Sequence, residues 1–106
     1  MKRVLMSAAE RDWRSRLARL IHSQGVLRGT LTVRQRVCGR PNCHCARGEK
    51  HASLYLVSHR DGKPRQLYIP HEQEAQARRW AANYRRARQL LDGIAETYFE
   101  RLRKRR

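Results

Sequence analysis

Three cysteines and one histidine lie within fourteen residues, in the segment CGRPNCHCARGEKH at 38–51. Cys38, Cys43, Cys45 and His51 follow the spacing C-x4-C-x-C-x5-H. A structural zinc ion prefers four thiolate and imidazole ligands in a closed tetrahedron. Glycine, proline and asparagine lie between these residues and form the turns that a chain needs to wrap around an ion. We predict one structural Zn2+ site whose binding energy contributes to folding.

The fourth ligand stays open, because His44 and His59 are alternatives to His51. We prefer His51, since His44 lies between two ligand cysteines and His59 lies well along a predicted strand. A catalytic zinc is disfavoured, because nucleobase deaminases carry H-x-E and P-C-x-x-C elements that this chain lacks. No set of nucleophile, base and carboxylate accompanies the cluster. We therefore expect a scaffold and not an enzyme.

The chain is strongly basic, with 25 lysines and arginines against nine acidic residues and a net charge of +16. Such a charge repels itself in the folded protein and favours a polyanionic partner. Nucleic acid is the usual one, because each phosphate contact releases counterions. We predict a nucleic-acid-binding protein, with DNA preferred over RNA. The candidate contacts are basic residues of the sheet, the cysteine segment and the second helix: Arg34, Arg36, Arg40, Arg47, Arg60, Lys63, Arg65, Arg78, Arg79, Arg85, Arg86 and Arg88.

The N-terminal sequence MKRVLMSAAE has too short an apolar stretch for a signal peptide. No segment has the length and hydrophobicity of a membrane span, so no membrane association is expected. We predict a cytoplasmic protein, associated with the nucleoid if it binds DNA. In that compartment clustered thiols bind metals more often than they form disulfides.

The spacing of apolar residues along the chain predicts the helices and strands that position these side chains. Ser7 and Glu10 have capping-box spacing and precede a helical pattern at 8–23. Apolar residues then alternate with polar ones from Gly29, which predicts a strand. The dipeptide Asp61-Gly62 predicts a hairpin between two further strands. We expect one α+β domain over 1–106, with a zinc-stapled three-stranded antiparallel sheet at 29–70, a zinc loop between its first two strands, a long helix at 71–102 and a basic tail at 101–106.

The long helix carries an apolar seam with steps of three and four residues, as in a coiled coil. Gly93 lies inside it at a cost of about 1 kcal/mol relative to alanine, which leaves a kink there open. The seam exceeds what a small sheet can cover. The alternative function is therefore a zinc-stapled interaction module, a subunit or adaptor that docks on a partner or forms a homodimer. Its seam residues are Trp80, Tyr84, Leu91, Ile94 and Tyr98.

The segments CGRPNCHCARGEKH, LYLVSHRDGKPRQLYIP and WAANYRRARQLLDGI together resemble a family of small uncharacterised bacterial and archaeal proteins. Its members share a CGxPxCxC…H module, a short hairpin and a helix that contains Asn-Tyr. The resemblance covers about 27–98 and implies Cys38, Cys43, Cys45 and His51 as shared zinc ligands. It implies no activity, and it suggests an accessory or regulatory factor of a mobile element.

Overall fold

The computed structural model describes residues 5–36 and 51–104. Its elements are, in chain order, α1 (Ala8–Ser23), β1 (Thr30–Arg36), β2 (His51–Arg60), β3 (Lys63–Ile69), a short 3-10 turn (His71–Gln73) and α2 (Glu74–Lys104). This confirms the α+β class with an N-terminal helix, a three-stranded antiparallel sheet and a long C-terminal helix. The predicted zinc loop between β1 and β2 lies outside the described residues, apart from His51 at the start of β2. Within the described part, no helix is long and apolar enough to cross a bilayer.

The sheet has the order β1-β2-β3, and both neighbouring pairs are antiparallel. Asp61 and Gly62 join β2 to β3 with φ angles of 54° and 76°. Positive φ at both central residues is what a two-residue type I′ hairpin turn requires. The turn therefore sets the register of the hairpin, beginning with Arg60 opposite Lys63.

One face of the sheet packs on the first turns of α2. Leu54, Leu56 and Ile69 form a buried cluster with Ala77 of that helix, and Leu27 and Leu31 pack against its edge. Burial of such side chains is the main source of stability for a small core. These residues belong to a compact sheet unit, Leu27–Ala81.

The remaining residues, Met1–Val26 and Ala82–Arg106, form a separate helical unit. There Ser7 is the N-cap of α1, and its Oγ accepts a hydrogen bond from the Glu10 amide at 3.1 Å. The side chain of Trp13 packs beside Gly93, and α2 continues through that position without a break. The single-domain assignment of 1–106 stays a prediction.

Candidate nucleic-acid interface

The second face of the sheet carries a row of polar and aromatic residues. Side chains alternate between the faces of a strand, so the residues between Leu54 and Leu56 project away from the core. The register places Thr32, Tyr55 and Tyr68 side by side across the three strands. Tyr68 is 53 % exposed, and Tyr55 is half-buried. We call this surface the open face and define it by Thr32, Arg34, Tyr55, Gln66 and Tyr68.

On the open face, Arg34 contacts both the aromatic pair and Gln66. The two tyrosine rings meet edge to face, with centroids 5.7 Å apart and planes at 65°. The Arg34 guanidinium lies 4.8 Å from the centroid of the Tyr55 ring, within the range of a cation–π contact. Arg34 Nη1 also donates a hydrogen bond to Gln66 Oε1 at 2.8 Å. The open face thus presents a fixed cation beside an exposed aromatic ring.

The sheet contains no acidic residue in any of its three strands. Four basic residues of the sheet that were predicted to contact nucleic acid lie at different places. Arg34 lies on the open face, Arg60 and Lys63 flank the hairpin turn, and Arg65 donates from Nε to Ser58 Oγ at 3.1 Å on the core side. Only Arg34 of these four residues contacts the aromatic pair.

Of the cysteine segment, only its last residue, His51, belongs to the described part of the chain. Cys38, Cys43, Cys45, Arg40 and Arg47 lie outside the described residues. The backbone of Arg36, the last residue of β1, pairs with His51, the first residue of β2. The strand pairing thus holds His51 opposite a residue that lies two positions before Cys38 in the chain.

The alternative ligand His59 lies at the other end of β2, opposite Pro64 and beside the hairpin turn. It is eight residues from His51, which corresponds to about 26 Å at the usual rise of a strand. This separation favours His51 over His59 as a ligand. Among residues 5–36 and 51–104, no group of three or more His, Cys, Asp or Glu side chains is placed to hold a metal ion.

The predicted contacts on α2 are all exposed. Arg78 and Arg79 belong to the sheet unit. In the helical unit, Arg85 is exposed, and Arg86 lines an open concavity of about 410 Å³ together with Asp12, Arg16, Arg19, Leu20 and Leu90. A hydrogen bond with Tyr84 and the charge of Asp92 raise the pKa of Arg88 above its ordinary value. Tyr84 and Asp92 lie four residues before and four residues after Arg88 on the same helix.

Glu10 forms a buried charged cluster in the helical unit that the sequence did not predict. Its side chain is fully buried, and its Oε2 accepts hydrogen bonds from Arg14 Nε at 2.7 Å and from the Tyr98 hydroxyl at 2.9 Å. Arg101 lies 3.5 Å from Glu10 Oε1. The hydrogen bond from Arg14 lowers the pKa of the carboxyl, burial opposes this, and Tyr98 and Arg101 lower it further. The carboxylate thus connects the first turn of α1 with the last turns of α2 and does not complete the capping box.

The predicted partner seam divides into inward and outward positions. Ile94 is buried, and Tyr98 bonds to Glu10. Tyr84 is half-buried, whereas Trp80 and Leu91 are exposed. Other exposed apolar side chains of α2 are Phe99 and Leu102, which the seam did not include.

Four residues of the open face were not predicted as contacts from the sequence: Thr32, Tyr55, Gln66 and Tyr68. Aromatic residues in strands usually belong to the core, so the two tyrosines were not expected to contact a ligand. The position of the hairpin turn could have predicted that they lie side by side. With Arg60 opposite Lys63, counting five residues outward along each strand places Tyr55 opposite Tyr68.

Comparison with known proteins adds a family assignment. The curated proteins give no match, and the solved structures give none. A family model described as a domain of unknown function, DUF6788, matches residues 7–79. The match includes α1, which the resemblance noted from the sequence had left out, and it covers all three strands. The chain therefore belongs to the DUF6788 family.

Proposed function

We propose that the protein binds nucleic acid through the open face of its sheet. The observation that carries the proposal is the juxtaposition of Arg34, Tyr55 and Tyr68 on a surface whose strands contain no acidic residue. Aromatic rings on a sheet surface stack with bases, and a neighbouring guanidinium binds phosphate or a base edge. The two groups together match the base and the phosphate of a nucleotide.

The charge of the whole chain supports the same proposal. A net charge of +16 accelerates association with a polyanion and makes binding weaken as salt rises. In this view Arg34 positions the ligand on the open face, and exposed arginines such as Arg78 and Arg79 add attraction that does not depend on base sequence. We expect DNA to be preferred over RNA, and the role of a mobile-element factor stays a prediction.

A structural zinc ion is part of this proposal. It would be held by Cys38, Cys43, Cys45 and His51, and the pairing of Arg36 with His51 supports it, because it holds His51 beside the strand that leads into Cys38. Zinc bound there would fix the end of the β1–β2 pair from which Arg34 projects. We expect Cys43→Ser to lower both the zinc content, measured by elemental analysis, and the Tm. Unchanged zinc content and Tm would refute the metal site and leave nucleic-acid binding to be judged separately.

The test of nucleic-acid binding compares two variants that each remove one positive charge. Arg34→Gln removes the cation of the open face, and Arg16→Gln removes an exposed arginine that pairs with Asp12 in the helical unit. Fluorescence anisotropy with labelled oligonucleotides, single-stranded and duplex, measures affinity at several salt concentrations. If Arg34 contacts a phosphate, its loss weakens binding and lowers the salt slope by about one. Equal effects of both variants would place the contact elsewhere, and no salt-dependent binding of any oligonucleotide would refute the function.

A second candidate function is self-association through α2. Leu91, Phe99 and Leu102 are 50 %, 59 % and 73 % exposed, and their spacing places them along one side of the helix. Apolar residues aligned in this way are typical of a contact between helices. Light scattering should then give the mass of a dimer, and Phe99→Ser should return the monomer. A monomeric wild-type protein at high concentration would contradict this candidate.

A further inference from the structure

The two tyrosines of the open face differ in what covers their rings. Tyr55 is half-buried in the central strand, and the Arg34 guanidinium lies against its face at 4.8 Å. Tyr68 is on the edge strand β3, is 53 % exposed, and presents its ring at 65° to that of Tyr55. Tyr68 therefore offers a ring surface to a ligand, while Tyr55 supports it and holds the cation.

An exposed aromatic ring on a sheet favours single-stranded nucleic acid over a duplex. In a duplex both faces of each internal base are covered by neighbouring bases, so an aromatic side chain on a sheet surface can stack only on an unpaired base. Stacking on aromatic side chains is the common mode by which proteins bind single strands, and it tolerates any base because each has a π-face. Direct reading of a duplex instead requires side chains that reach base edges within a groove.

The position of Arg34 fits the backbone that would accompany such a base. Arg34 is on β1, but its side chain reaches across the open face: the guanidinium lies over the Tyr55 ring of β2, and its Nη1 donates to Gln66 of β3, the strand that carries Tyr68. A single strand whose base stacks on Tyr68 and whose backbone continues over Tyr55 therefore meets the guanidinium. Arg34 has five N–H donors in total. One is directed at Gln66 Oε1, and that bond holds the group in place on the open face.

We infer that the ligand of the open face is single-stranded nucleic acid, with one base stacked on Tyr68 and a nearby phosphate bound by Arg34. This inference rests on the proposed function and narrows it to one class of nucleic acid. DNA and RNA single strands share the chemistry, so both belong in the test. A duplex is the competing ligand.

The experiment measures the affinity of labelled oligothymidine, oligouridine and a DNA duplex of equal length by anisotropy. Three variants are compared with the wild type: Tyr68→Ala, Tyr68→Phe and Leu67→Ala. Leu67 is the matched control, because it is also exposed but lies next to Tyr68 on the opposite face of β3. Circular dichroism and Tm establish that each variant is folded.

We expect Tyr68→Ala to weaken single-strand binding by about 5- to 150-fold, the loss of one stacked base. Tyr68→Phe keeps the ring and should stay within about twofold of the wild type. Leu67→Ala should leave the affinity unchanged. A single strand that carries 2-aminopurine gives a stacking readout: its fluorescence should fall on binding to the wild type and to Tyr68→Phe, and not with Tyr68→Ala.

The outcomes separate this inference from the proposed function. If the duplex binds as tightly as the single strands, and Tyr68→Ala changes neither affinity while Arg34→Gln weakens both, the protein binds nucleic acid but the inference is wrong. If no oligonucleotide binds, the proposed function is itself refuted. A single-strand preference that Tyr68→Ala removes supports both, and the relative affinities of oligothymidine and oligouridine then show whether DNA or RNA is preferred.

Discussion

Glu10 is a fully buried carboxylate in a chain with 25 lysines and arginines. Its hydrogen bonds come from Arg14 on its own helix and from Tyr98 on α2, so it connects residues far apart in sequence. A buried ionised group is tolerated only with such partners, and removing one partner leaves the others unpaired. The stability of the helical unit should therefore depend on this one acidic side chain.

We predict that Glu10→Gln lowers the Tm at neutral pH, whereas Asp12→Asn has little effect. Asp12 pairs with Arg16 one turn along, but both side chains are about half exposed, and such surface pairs contribute little. Thermal unfolding followed by circular dichroism compares the two variants, which each convert one acid to its amide. Equal losses of Tm would contradict the structural role of the Glu10 cluster.

The pH dependence of this cluster has a definite sign. Because Arg14 lowers the pKa of Glu10 in the folded state below its ordinary value of 4.5, folding favours the ionised carboxyl. Its contribution is present above the pKa of the unfolded chain and is lost as pH falls through the lower pKa of the folded state. The Tm difference between wild type and Glu10→Gln should therefore shrink on acidification below about pH 4. A difference that stays constant to pH 2 would contradict the prediction.

Gly29, at the start of the sheet, is a second residue on which stability depends. It has a φ of +143°, and an added Cβ would lie 2.7 Å from Leu56 Cδ1 and 2.8 Å from the Val57 carbonyl oxygen. We predict that Gly29→Ala destabilises the protein by about 1–3 kcal/mol in urea unfolding. Gly62→Ala is the control, since Gly62 also has positive φ but nothing within 4 Å of an added Cβ. It should cost about 1 kcal/mol, from the backbone alone.

At the scale of elements, the sequence was most informative where one local rule decides the geometry. Ser7 predicted the start of α1, and Asp61-Gly62 predicted the turn and with it the register of the hairpin. The start of α2 was less well predicted. His71–Gln73 form a 3-10 turn, in which the Gln73 amide donates to the Pro70 carbonyl, before α2 begins at Glu74.

The candidate site was harder to predict than the elements, because burial depends on the whole fold. Period-two alternation shows that a strand has two faces, but it does not say which aromatic residues stay exposed. Tyr55 and Tyr68 resemble core residues by type, and only the packing of Leu54 and Leu56 on α2 shows that they project outward. For the same reason, the sequence predicted only a capping role for Glu10, because its partners Tyr98 and Arg101 lie at the far end of the chain.

Gly93 shows how one element constrains another. An added Cβ at this position would lie 3.4 Å from Trp13 Cδ2, which is ordinary van der Waals contact. Gly93→Ala should therefore be accommodated and gain up to about 1 kcal/mol of helix propensity. Gly93→Val places two more methyl groups beside the indole than alanine does and should destabilise by about 1–3 kcal/mol. Urea unfolding of both variants checks this, and a loss of stability with alanine would mean that the packing on Trp13 leaves no room.

At the scale of the whole molecule, repulsion among the sixteen excess positive charges competes with a few attractive pairs. Apart from the Glu10 cluster, the described residues contain the pairs Arg16–Asp12, His71–Glu74 and Arg103–Glu100. Each is partly or largely exposed and contributes at most about 1 kcal/mol. Repulsion acts between all the basic residues and over longer distances, so it should dominate the response to salt.

We predict that salt stabilises the free protein. Raising NaCl from about 0.01 M to about 0.15 M shortens the Debye length from about 30 Å to about 8 Å, which screens the repulsion more than the close pairs. The Tm of the free protein should rise over this range. The affinity for an oligonucleotide should fall, because the release of counterions is less favourable at higher salt. The two opposite responses come from one cause, an excess of cationic charge without a bound polyanion. A Tm that falls with salt would mean that the attractive pairs outweigh the repulsion in the folded protein, and it would contradict this prediction.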